Sequence, residues 1–149
     1  MRKKLRFYKQ KTDFTCGPAC ILMLLDYYEK IPYPTAGLEK SIYDAYKSEK
    51  YGSVDGAAIA RHLAKNRLEV TIYHSFEKGM DNKNAYFDEE IYEDLLSTYH
   101  MHLEKSKEAV RTVHTKEIDC VFLRNLLRQG HLIVLECFVD GNVDGVHEK

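Results

Sequence analysis

The sequence predicts an α+β fold, with a helical N-terminal half packed on an antiparallel sheet formed mainly by the C-terminal half. Three observations point there. Residues 19–25 are apolar without a break and run out of a Cys-Gly-Pro turn. Helix-period patterns then fill residues 35–65. Strand-like stretches come later: 68–73 alternates β-branched and aromatic residues, and 131–139 is a near-continuous apolar run before a turn-rich 140–145. Helices first and strands late suit one helical layer against one sheet.

In chain order, residues 1–9 are basic with weak alternation at Leu5 and Phe7, which reads as a short arm or edge strand. A helix is predicted from about 18 to 29. Pro18 suits its first turn, where a missing N–H costs nothing. An all-apolar run shows no stripe, so this helix should be buried nearly all round. Pro32 and Pro34 break the chain, because each disfavours helix in the residue before it. Thr35 caps a second helix carrying Leu38, Ile42 and Tyr46. Ser53 or Asp55 caps a third through Ile59 and Leu63. After the strand at 68–73, residues 77–87 read as a polar loop. A helix over 88–107 puts Tyr92, Leu95, Leu96, Tyr99 and Leu103 on one face, with acids at its start and lysines at its end. Another helix spans 116–128, stopped by Gly130. The run 131–139 reads as a central strand, and 140–145 should reverse the chain.

The 149 residues suit one domain over 1–149. A net charge of −1 gives no reason to expect nucleic acid or an anionic membrane as partner. No stretch approaches the roughly 20 apolar residues of a membrane span, and no apolar run follows the basic start as a signal peptide requires. Four cysteines at 16, 20, 120 and 137 without a secretory signal read as free thiols in a reducing, cytoplasmic setting.

Chemistry concentrates at residues 10–20, Gln-Lys-Thr-Asp-Phe-Thr-Cys-Gly-Pro-Ala-Cys. Cys16 falls at the mouth of the buried helix, where the dipole stabilises a thiolate. Gln10 can fold back beside it as an amide donor to a developing oxyanion. Asp13 is either a supporting residue of this site or an ordinary turn residue. Cys20 lies on about the same helix face as Cys16. A zinc site would need two further ligands, and no paired-His motif supplies them, so Cys20 reads as core packing and no metal is expected. Cys120 and Cys137 also read as core residues. Among seven histidines, His62, His74, His100, His102 and His114 read as solvated side chains. His131 and His147 compete as a base near Cys16.

Gln10, Asp13 and Cys16-Gly17-Pro18-Ala19 followed by an apolar helix resemble the C39 and C39-like cysteine peptidases, a papain-like group. The resemblance is strong over this stretch and thins after residue 30 to a matching order of elements. It implies a papain-like fold. It further implies a cysteine peptidase or amidase in which Cys16 is the nucleophile, Gln10 helps form the oxyanion hole and His147 is the base, with His131 as the alternative. No cofactor is implied. The implied substrate is a peptide or protein, with a transporter as partner if the chain removes leader peptides. A non-catalytic peptide-binding module and an acyltransferase on the same site are the alternatives. The family's orienting acid and last strands would come after Lys149, so the resemblance implies a domain truncated at its C-terminus.

Overall fold

A computed structural model describes residues 4–74 and 89–135. Among the described residues there are five helices and two strands. α1 spans Cys16–Tyr27. Ile21 and Leu22 are fully buried, and Ala19, Leu24 and Leu25 nearly so. The expectation of a helix enclosed nearly all round therefore holds. Even Asp26, in the last turn, is buried, and it is held by Arg6, whose Nε donates to Oδ2 at 2.8 Å.

α2 spans Ala36–Tyr46 and α3 spans Gly56–Lys65. Both start as the sequence predicts. The Leu38 N–H donates to Thr35 Oγ1 at 3.1 Å, and the Ala58 N–H donates to Asp55 Oδ1 at 2.7 Å. Each bond satisfies one of the backbone donors that a helix start leaves unpaired. Ile21, Leu22 and Leu25 from α1, Ile42 and Tyr46 from α2, and Ala58, Ile59 and Leu63 from α3 close one apolar core with Val54.

β1 spans Val70–His74, α4 spans Glu89–Glu104, β2 spans Val110–His114 and α5 spans Cys120–Arg128. The strands pair in parallel, Val70 opposite Val110 and His74 opposite His114. A parallel pair needs a long crossover between its strands, and α4 lies in that connection. α4 also turns Tyr92 and Leu95 inward and packs on α3.

The fold class expected from the sequence is corrected here. The described structure is mostly helical, and its sheet is two parallel strands in the middle of the chain, not an antiparallel sheet built by the C-terminal half. The apolar run was read as a central strand from 131, yet residues 131–135 join no ladder. The His131 N–H instead bonds back to the Leu126 carbonyl at 3.1 Å and closes the end of α5, leaving Val134 and Leu135 exposed. Hydrophobicity alone does not supply a strand partner. The arm at 4–9 is also no strand. β2 went unread because Val110 and Val113 are its only apolar residues, set among Arg111, Thr112 and His114. The loop at 77–87 and the turn at 140–145 lie outside the described residues.

Candidate functional site

The start of α1 is built by the segment before it and by the chain beneath it. Thr15 is the residue before the first helical turn, yet its side chain does not cap the helix. Its hydroxyl turns back into the loop, donating to the Thr12 carbonyl at 3.1 Å and accepting from the Thr12 N–H at 3.3 Å. No side chain caps the start of α1; Pro18 has no N–H and the Ala19 N–H bonds to the Thr15 carbonyl at 2.9 Å, which leaves the N–H groups of Cys16 and Gly17 at the positive end of the helix dipole. Cys16 is the first helical residue and is exposed. Gly17, next to it, is buried where the chain passes Val54. A Cβ on Gly17 would meet the Val54 carbonyl oxygen at 2.9 Å and the Val54 Cβ at 3.2 Å. Only glycine lets the helix start this close to that segment.

Gln10 belongs to the same loop, its Nε2 donating to the Thr12 carbonyl at 2.8 Å. The structure therefore places Gln10, Asp13 and Cys16 on one short segment, with Asp13 exposed. Cys20 is half-buried one turn on, and burial pushes its thiol up, with Cys16 adding to the shift.

His131 is exposed after α5, and no hydrogen bond or ring contact joins it to Cys16 or Gln10 among the described residues. His147 and Cys137 lie outside the described residues. Cys120 was expected in the core but is exposed at the start of α5. That amphipathic helix buries none of its residues, and it meets the sheet chiefly through Phe122 edge-on to Tyr73.

A buried carboxylate lies under this loop, and no sequence pattern marks it. Glu39, in the first turn of α2, is only 1% exposed. Its Oε2 accepts from the Tyr8 hydroxyl at 2.7 Å and its Oε1 from the Lys11 N–H at 2.8 Å. Burial pushes the Glu39 carboxyl up, but the Lys11 N–H, the nearby Thr15, the Tyr8 hydroxyl and the Lys11 charge together outweigh it and hold the acid below its ordinary value. Burial, then the bond to Glu39 and its charge, push the Tyr8 hydroxyl up to about 12. Its position in a helix's first turn looks from sequence like an ordinary surface acid.

His102 is a second correction, since it was read as solvated and is 2% exposed. It packs on Tyr46, with Tyr46 also meeting His62 edge-on. Arg61 donates to His102 Nδ1 at 3.0 Å. Arginine cannot accept, so Nδ1 carries no proton. Burial first, then the Arg61 charge, hold His102 below its ordinary value, against a bond to the Tyr46 backbone.

Two cavities of about 440 and 420 Å³ lie elsewhere. The larger is lined by residues such as His100, Lys107 and Thr112, the smaller by residues such as Arg6, Asp26 and Pro32; neither includes Cys16 or Gln10. Among the described residues no helix is long and apolar enough to cross a membrane.

No curated protein and no solved structure matches the chain. A family model described as guanylylate cyclase matches residues 5–142. That match overturns the resemblance to C39-like peptidases, and with it the peptidase, amidase, acyl-transfer and peptide-docking readings and the hydrolase class. The residues that carried the resemblance have structural reasons of their own: Gly17 is demanded by Val54, and Pro18 suits a helix's first turn. What stands is that the family is described by an enzymatic activity, and not by proteolysis. The matched segment takes in every described element and spans far more than half of the sequence, so the chain belongs to the guanylylate cyclase family.

Proposed function

We propose that this protein acts on guanosine triphosphate, closing its 3′-hydroxyl onto the α-phosphorus to release cyclic GMP and pyrophosphate, with the start of α1 receiving the phosphates. The match of the guanylylate cyclase family to residues 5–142 carries the reading. In the reaction the O3′–Pα bond forms, the bond from Pα to the bridging oxygen breaks, and the hydroxyl proton leaves to water. Such phosphoryl chemistry asks the protein mainly for positioning and charge stabilisation.

The loop before α1 suits a polyanion in three respects. The helix start has no capping side chain, so no side chain of the chain itself takes up the N–H groups of Cys16 and Gly17 at the positive end of the dipole. Lys9 and Lys11 are exposed on the same segment. Cys16 is exposed and small, leaving the approach open. With a net charge of −1 the chain as a whole exerts little pull on an anion, which puts the work on local donors. Among the described residues no group of three or more His, Cys, Asp or Glu could hold a metal ion. The magnesium that accompanies the triphosphate enters with the substrate.

The test is quantification of cyclic GMP and pyrophosphate by mass spectrometry after incubation with magnesium GTP, with ATP in parallel. Equal amounts of the two products from GTP are expected. Lys11→Ala should raise KM about tenfold with kcat nearly unchanged, the signature of lost uniform binding. GTP recovered intact, or converted only to GDP or GMP, overturns the proposal.

A further inference from the structure

Glu39 is an expensive residue to place where it is. A carboxylate removed from water is destabilising unless it is well bonded, and this one makes no ion pair within salt-bridge distance among the described residues. Its compensation is a set of donors plus its place in the first turn of α2, where the dipole favours an acid. Every one of those donors comes from the segment that leads into α1. The Tyr8 hydroxyl and the Lys11 N–H hold its two oxygens. A leucine or methionine could fill the same volume without the desolvation cost, but it could not hold a loop.

We propose that Glu39 is a positioning residue, a buried post that fixes the path of residues 8–15 and so sets where Cys16 and the Gln10 amide stand. The inference rests on the reading of residues 10–16 as the functional site. The mechanism is local. Thr12, next to Lys11, holds the Thr15 hydroxyl through its carbonyl and N–H, and the same carbonyl holds the Gln10 amide. Freeing Glu39 releases Tyr8 and the Lys11 N–H, and so loosens the segment on which Gln10, Thr12 and Thr15 are tied together. Lys11 is held by its backbone, and its exposed side chain lies with the ammonium 5.5 Å from the centre of the Tyr8 ring.

The test compares wild type with Glu39→Gln and Tyr8→Phe. Glu39→Gln keeps the volume and removes the charge, and Tyr8→Phe removes a single donor. Two readouts are taken: amide hydrogen exchange over residues 8–15, and the pH profile of iodoacetamide labelling at Cys16, with Cys20 and Cys120 as internal references. Glu39→Gln should speed exchange over 8–15 by roughly ten- to a hundredfold, the loss expected for bonds to a charged acceptor. It should also shift the Cys16 profile while leaving the profiles of Cys20 and Cys120 in place. Tyr8→Phe should act in the same direction and less strongly. Unchanged exchange and an unchanged Cys16 profile in Glu39→Gln overturn the inference. So does acceleration at all three cysteines together, which is general destabilisation. Neither readout uses a nucleotide. A loop that loosens in a protein that makes no cyclic GMP would leave Glu39 as the post and remove the proposed reaction alone.

Discussion

At Gly17 the first turn of α1 passes so close to Val54 that a Cβ would sit 2.9 Å from its carbonyl oxygen. Backbone cannot move aside as a flexible side chain can. Gly17→Ala should therefore cost about 1–3 kcal/mol, the usual range for overpacking. Urea denaturation of the variant measures it, and a loss below about 0.5 kcal/mol would show that the contact yields. His102 gives a pH signature. Its pKa in the folded protein lies below the ordinary 6.5, so as pH falls through about 6.5 the unfolded chain takes up its proton first. Stability from this group is complete above that pH and is lost as pH falls toward the folded value. Lys65 and Lys105 also lower His102, and His62 is likewise lowered, by burial first and then by Lys65. Thermal melts between pH 7.5 and 5.0 should show falling midpoints, with a shallower fall in His102→Gln. An identical slope in that variant would place the titration elsewhere. His102 and Glu39 share a reason for having been missed. Each sits in a pattern that reads as surface, and only the neighbouring helices reveal that it is covered.

At the scale of elements, what the sequence displays best is what neighbours in the chain decide. Thr35 and Asp55 cap α2 and α3 through the N–H three residues on, a relation contained in four residues. The buried helix after Cys16 and the amphipathic α4 follow from spacing alone. Strand pairing is different, because the partner is distant. Val70–His74 is legible as a strand, but its partner at Val110–His114 is not, and the described part of a richer apolar run, residues 131–135, joins no ladder. The helices should also differ in protection. α1 is enclosed by α2 and α3, whereas α5 buries no residue and exposes Val121 and Leu127. Native-state hydrogen exchange should find the α1 amides opening only with global unfolding and the α5 amides opening well below it. Equal protection in the two helices would mean that α5 is held by more than its described contacts.

For the whole molecule, the family match and the local motif led in different directions. Gln10, Cys16, Gly17 and Pro18 form a nucleophile-like pattern, but a few residues at a helix start can be fixed by packing and helix geometry as readily as by chemistry. The match over residues 5–142 reads the entire arrangement and assigns it to the guanylylate cyclases. In the proposed reading the two meet at the start of α1, which has an uncapped helix, an exposed Cys16 and lysines at 9 and 11. The most direct measurement of that meeting is protection of Cys16 by substrate. Iodoacetamide labelling is followed residue by residue with and without saturating magnesium GTP. A nucleotide seated over the helix start should slow labelling of Cys16 about tenfold or more, in proportion to site occupancy, and leave Cys120 at its free rate. Labelling of Cys16 at an unchanged rate in a protein that is turning over GTP would place the nucleotide elsewhere and contradict the site.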